Sequence, residues 1–266
     1  MDLELRDKTA IVTGGSRGIG KAIARELARE GVDVAIVART REPLEATSRE
    51  LAQETGRRFL AIVADTGKDE DVRNMVCHVV ERFGRVDILV NCAARPGGQA
   101  PPPKLAEVTD DHFWPDVNVK VMGYLRCARE VAPHMRQQGW GRIINISGLA
   151  ARHTGTIIGS MRNVAVVALT KNLAEELSPH GINVTVVHPS QVRTEKTPGV
   201  IAAQAKRQGI SPEDVERRMA EGNLIRRMID ASDIAHIVAF LASPKSAAIN
   251  GDVIAAGGGT PRSIYY

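Results

Sequence analysis

The chain has 266 residues, of which 43% are apolar and only 3% aromatic, with a formal net charge of +4. That length without a Pro/Gly/Ser-rich linker suits one α/β domain over 1–266, and Arg and Lys interspersed with Asp and Glu exclude the basic run that tracks a nucleic-acid backbone. Cys77, Cys92 and Cys127 lie far apart with no Cys-x-x-Cys, the first residues are acidic where a signal peptide would be basic, and no apolar stretch approaches a bilayer span, so no metal, no membrane partner and a reducing cytoplasm are expected.

In chain order, an apolar run at 9–13 opens into Thr13-Gly14-Gly15-Ser16-Arg17-Gly18-Ile19-Gly20 and a helical pattern at 18–30. Gly14, Gly18 and Gly20 allow a tight turn and let a pyrophosphate approach backbone N–H groups at the positive end of a helix, with Ser16, Arg17 and Ile19 completing the cradle. The spacing differs from G-x-G-x-x-G because position 17 is Arg; an ordinary glycine-rich strand-to-helix turn is the alternative. A second strand at 33–38 ends in Ala38-Arg39 where an acidic residue would hold a ribose 2′-hydroxyl. Arg39 and Arg17 together suit a 2′-phosphate, which favours NADP(H) over NAD(H), unless they are solvated surface charges.

Helix and strand patterns then alternate: helix 42–54, strand 59–64, helix 69–83, strand 86–91, helix 110–137, strand 141–147, helix 160–178, strand 182–188, helix 232–242 and strand 252–256. Seven β-branched runs separated by helices predict an α/β fold, a doubly wound Rossmann domain whose seven-stranded, mostly parallel sheet carries helices on both faces. Two stretches break the alternation: a Gly- and Pro-rich loop at 95–103, and a charged insert at 194–223 that is helical in part, placed as a substrate lid would be or merely tolerated at the surface.

These residues resemble the short-chain dehydrogenase/reductase family, in the branch of the 3-oxoacyl-carrier-protein reductases. The resemblance rests on the glycine turn, Asp65, Asn91-Cys92-Ala93-Ala94, Asn118, Gly141 through Ser147, Pro189 through Thr194, and Asp233-Ile234-Ala235 through Gly259. It implies that Asp65, with Thr66 beside it, contacts the adenine. Asn91 and Ala93 would line the cofactor ribose, and Pro189, Val192 and Thr194 the nicotinamide side. It also implies a homo-oligomer, a dimer or tetramer built on the helices at 110–137 and 160–178.

The same resemblance calls for a Tyr-x-x-x-Lys pair on the helix after the fifth strand, the phenol to pass a proton and the ammonium to lower its pKa. Counting back from Lys171 puts Gly159 in the Tyr slot and Asn163 in the Lys slot, and no Tyr lies between Leu125 and Ile264. Asn163 retains the capacity to hydrogen-bond the nicotinamide ribose. The remaining catalytic candidates are Ser147, as the active hydroxyl or a structural one, Asn118, as a catalytic or purely structural amide, and His153, a loop imidazole, as a general acid or base or a solvated surface residue. His188 reads as a packed histidine, Lys120 as a surface cation, and Tyr265 and Tyr266 as tail residues of an oligomer.

The expectation is an NADP(H)-dependent oxidoreductase with an atypical site, acting on a ketone, acyl thioester or activated alkene. A non-redox lyase, hydratase or isomerase and an inactive cofactor-binding subunit are the alternatives.

Overall fold

The computed structural model describes residues 1–95 and 103–261. The expected proline-rich loop, apart from its end residues, and Tyr265 and Tyr266 fall outside them. Seven parallel strands form one sheet: β1 (Thr9–Thr13), β2 (Asp33–Ala38), β3 (Phe59–Val63), β4 (Ile88–Asn91), β5 (Gly141–Ile146), β6 (Ile182–Pro189) and, at the far edge, β9 (Val253–Ala256). Their order is β3-β2-β1-β4-β5-β6-β9, so the winding reverses between β1 and β4. A crevice opens at the carboxyl ends of the strands beside such a reversal, which is where this class of sheet binds ligands.

Side chains alternate across the sheet and make two separate cores. Ala10, Val12, Val34, Ile36, Ile88, Val90 and Ile144 face one layer, with Ile23 and Leu27 of helix α1 (Gly18–Arg29), Leu44 and Leu51 of α2 (Arg41–Thr55) and Ile234 and Val238 of α9 (Ala231–Ala242). Ile11, Ala35, Val37, Leu89, Ile143 and Val184 face the other. They meet Met75 and Val79 of α3 (Asp69–Phe83), Cys127, Val131 and Met135 of α5 (Gly123–Gln138) and Leu177 of α6 (Ile157–Leu177). With both faces covered, strands read as continuous apolar runs, and the sequence shows them as such.

Two departures from the sequence expectations, and one expectation made specific, bear on the site. The helix expected over 110–137 is α4 (Asp110–Val117) and α5 joined by a π-helical turn at Asn118–Met122, in which Gly123 N–H donates to the Asn118 carbonyl. One extra residue in that turn rotates everything after it relative to α4. Helix α6 starts three residues before expected Ser160, because Thr156 caps it and its hydroxyl accepts Gly159 N–H at 3.0 Å. The insert at 194–223 folds into α7 (Thr197–Gln208) and α8 (Pro212–Glu221), which share the small core of Ile201, Ala205 and Val215. Short strands β7 (Val192–Arg193) and β8 (Ile229–Asp230) pair in parallel at its base.

Candidate functional site

The turn from β1 into α1 is built by close backbone approach. Gly14 has φ +71°, and a Cβ on it would stand 3.1 Å from the backbone of Ala93; a Cβ on Gly20 would meet the Gly14 carbonyl oxygen at 2.3 Å. Neither position admits a side chain without shifting backbone. Gly18 has φ +58°, and its N–H donates to the Glu195 carboxylate at 3.0 Å and 3.3 Å from the two oxygens. An anion already sits on the helix N-terminus, so the turn fits the pyrophosphate of a dinucleotide. Ser16 is fixed through its carbonyl, which accepts from Thr47 at 2.9 Å, and Ile19 packs on the first core. Arg17, in the turn, and Arg39, just past β2, are exposed, and neither guanidinium has an ion-pair or hydrogen-bond partner among the described residues.

Across the reversal, Thr13 ties β1 to the exit of β4. Its hydroxyl accepts Cys92 N–H at 3.0 Å and Ala93 N–H at 3.1 Å and donates to the Val90 carbonyl at 3.4 Å. This residue, overlooked as a functional candidate in the sequence, positions Ala93 against the glycine turn. Asn91 is fully buried, and its amide donates to the Asn145 side chain at 2.9 Å. Asn145 in turn donates to Thr170, which donates to the Val166 carbonyl. The chain of hydrogen bonds fastens β4, β5 and α6 beneath the crevice, while Asn91 Oδ1 is buried without a partner among the described residues.

The wall at the ends of β5 and β6 holds Ser147, Asn163, Lys120 and His188. Ser147, 8% exposed, donates its hydroxyl to the Asn163 carbonyl at 3.2 Å. Asn163 is buried with Oδ1 unpartnered among the described residues, and its Nδ2 lies 3.1 Å from the place a Cβ would occupy on Gly148. A Cβ on Gly159 would lie 2.2 Å from the Thr156 hydroxyl, so the helix cap fills the space a side chain would need. His188 accepts Gly148 N–H on Nδ1 at 3.3 Å, which leaves the proton on a buried, unpartnered Nε2. Burial, with Arg152 and Lys120 nearby, pushes its pKa down to about 4, so it is neutral at physiological pH.

Lys120 corrects the expectation of a surface cation. It is 4% exposed, and its Nζ donates to the Ser147 carbonyl at 2.9 Å. Burial and the Arg162 guanidinium push its pKa down to about 7. The signal was present in the sequence: Lys120, Tyr124, Cys127, Val131 and Met135 recur at helical spacing, and the last four are buried. A lysine in line with a buried stripe is the anomaly that marks it.

Asn118 points elsewhere. Its amide donates to the Gly67 carbonyl at 3.2 Å and its Oδ1 accepts from Arg126 at 2.9 Å, bracing the turn after β3. In that turn Asp65 accepts Gly67 N–H at 2.9 Å, and Thr66 is buried. Pro189 ends β6 in register with Ala256, and Val192 opens β7. Thr194 has its N–H on the Thr197 hydroxyl at 2.8 Å, and its methyl lies over Gly18. The glycine turn, Ala93 and Thr194 are therefore brought together, with Asn91 buried beneath them. The His153 side chain is exposed and its carbonyl accepts from Ser160.

A parallel sheet with a glycine-lined anion cradle at its winding reversal defines a nucleotide-binding α/β protein. The chain belongs to the short chain dehydrogenase family, whose model matches residues 8–205. It is 35% identical over 258 residues to the short-chain reductase protein NovJ of Streptomyces niveus, covering 96% of this chain and 95% of that one. It is 34% identical over 265 residues to a 3-oxoacyl-[acyl-carrier-protein] reductase of Staphylococcus epidermidis, covering 95% and 98%. Among solved structures, the L-sorbose reductase of Gluconobacter frateurii, complexed with NADPH and L-sorbose, superposes with a TM-score of 0.93 at 28% identity over 99% of this chain and all of that one. The family is one of nicotinamide-dependent oxidoreductases, and this chain is an oxidoreductase of that type. Among the described residues no helix is long and apolar enough to cross a membrane.

Proposed function

We propose that the protein is an NADP(H)-dependent reductase or dehydrogenase whose proton-delivery site lacks the Tyr/Lys pair of its family. The observation that carries the cofactor preference is the pair of guanidiniums, Arg17 and Arg39, at the glycine turn and the end of β2, which have no partner among the described residues. A 2′-phosphate offers them bidentate, charge-assisted contacts that a 2′-hydroxyl does not. The NADPH-bound L-sorbose reductase supports the same choice. When bound, the cofactor supplies the hydride.

This chain's own residues hold and orient it. Backbone N–H groups of the turn take the pyrophosphate, Asp65 and Thr66 border the adenine, and Asn91, Ala93 and Asn163 border the ribose of the nicotinamide. Pro189, Val192 and Thr194 border its carboxamide. Ser147, at the end of β5 beside Asn163, is the hydroxyl assigned to the reacting end of the site. Asn118 braces the turn after β3, and His153 is a loop imidazole at the mouth, the weakest of the catalytic candidates. Substrates with a ketone, acyl thioester or activated alkene suit hydride addition, and the insert at 194–223 covers that end of the crevice.

Self-association is part of the reading. Ile157, Met161 and Val164 form an exposed apolar stripe on α6, beside exposed Trp114 on α4, and a second copy of this face covers it best. Native mass measurement checks this.

Purified protein, NADPH or NADH, and a panel of the three substrate classes are followed at the nicotinamide absorbance. NADPH consumption above background with at least one class is expected. Absence of turnover throughout the panel sinks the oxidoreductase reading. Product formed without any change in cofactor oxidation state turns it into a non-redox enzyme.

A further inference from the structure

Lys120 and Arg142 are the only buried Lys or Arg residues among those described. Arg142 is committed: its guanidinium donates to the Gly141 and Ser243 carbonyls and lies 4.6 Å over the Trp140 ring. Lys120 is not. An ammonium carries three donors, and among the described residues only one has a partner, the Ser147 carbonyl.

The groups around that ammonium come from every neighbouring element. Cys92 stands at the exit of β4, His188 at the end of β6, Asp116 on α4 and Arg162 on α6. Asp116 is paired with Arg162, and its charge favours the Lys120 ammonium less than burial and Arg162 disfavour it. Burial holds the Cys92 thiol at about 12, and His188 is neutral. None of them takes the lysine proton near neutrality.

Lys120 and Asn163 flank the same residue from two helices. Lys120 holds the Ser147 carbonyl, while the Asn163 carbonyl holds the Ser147 hydroxyl, and the Asn163 side chain keeps a free acceptor oxygen. The helix before β5 therefore presents a lysine to the site and α6 presents an asparagine. The resemblance calls for the opposite arrangement, an asparagine on the first helix and a lysine on the second, and Asn118, two residues away, faces Gly67.

We propose that Lys120 is the proton-transfer residue of this site, an ammonium delivered from the π-helical turn before α5 that acts in place of the phenol and amine absent at 159 and 163. The proposal rests on the oxidoreductase reading. For a ketone, hydride adds to the carbonyl carbon, the π electron pair moves to oxygen, and that oxygen takes one proton from the Lys120 ammonium. The two electrons come from the reduced nicotinamide, and the neutral amine regains a proton from water. Asn163 Oδ1 accepts a hydroxyl of ribose or product. A donor titrating near 7 is matched to this task at neutral pH. Reduction falls as pH rises through about 7, and the reverse oxidation, which needs the free amine, rises over the same range.

The test compares wild type with Lys120→Met, Lys120→Arg and the exchange Lys120→Asn/Asn163→Lys, using NADPH and the best substrate of the panel. Both single variants are expected to lose at least about 100-fold in kcat while binding NADPH within about threefold of wild type. Arginine keeps the charge and the bond to Ser147 but not a transferable proton, so a merely structural lysine is rescued by it and a proton donor is not. The exchange variant is expected to recover part of the loss. A readout independent of turnover is the titration of lysine labelled with carbon-13 at Cε. One resonance, missing in Lys120→Arg, is expected to titrate near 7 and to shift on NADPH addition.

Turnover within threefold of wild type in Lys120→Arg overturns the proposal and leaves the oxidoreductase reading standing. A Lys120 resonance titrating at the ordinary lysine value overturns it on the same terms. Bound NADPH with no turnover in wild type overturns the oxidoreductase reading itself, and the proposal falls with it. If Lys120→Met does not fold, the arginine variant and the titration decide.

Discussion

The carboxylate of Glu195 accepts the N–H of Gly18, the amide that opens helix α1. A side chain from the segment after β7 thus stands on the anion cradle that a pyrophosphate requires, and Thr194, its neighbour, lies over the same glycine. Under the proposed function the carboxylate and the cofactor would compete for one electrostatic site. A helix N-terminus stabilises a negative charge by about 0.3–1 kcal/mol at exposed positions, so Glu195→Gln is expected to tighten NADPH binding by up to about fivefold. Fluorescence titration of the cofactor measures it, and an unchanged or weakened affinity would show that Glu195 does not compete.

Arg39 and Arg17 should separate the two cofactors. Charge-assisted hydrogen bonds contribute about 1.5–3 kcal/mol, so Arg39→Ala is expected to weaken NADPH binding about 10- to 100-fold. NADH binding should change little. Equal losses for both cofactors would assign Arg39 to something other than a 2′-phosphate.

Thr13 is buried and holds two backbone N–H groups of the β4 exit. In Thr13→Val both donors lose their acceptor, at about 1–3 kcal/mol each when buried, and a total loss of about 2–4 kcal/mol in urea unfolding is expected. Thr13→Ser keeps the oxygen and should fall within about 1 kcal/mol of wild type. If valine is tolerated as well as serine, the bridge from β1 to β4 is not what positions Ala93.

His188 gives the fold a pH dependence with a definite sign. Its pKa is about 4 in the folded chain against 6.5 as a free side chain, so the unfolded state binds more protons between those values. Its contribution is fully present above about 6.5 and is lost as pH falls toward 4, by at most about 3 kcal/mol. His188→Asn keeps an acceptor for Gly148 N–H and should flatten unfolding free energy over that range. A slope identical to that of wild type would place the dependence on other groups.

The sequence by itself determined the sheet and the cradle. Consecutive Val, Ile, Leu and Ala bury both faces of the central strands, and glycines between β1 and α1 permit the φ values and close contacts that any larger residue forbids, so both were readable from local composition. It also showed that no tyrosine stands on α6. Tertiary structure alone decided which polar groups meet. The π-helical turn at Asn118–Met122 shifts the helix register, so Asn118 faces Gly67 while Lys120 enters the wall beside Ser147. Glu195 reaches Gly18 across 177 positions of chain, and Thr13 reaches Ala93 across 80. Such contacts depend on how strands order and helices rotate within the packed fold, and a lysine's pKa depends on what surrounds its amine. No local spacing encodes either.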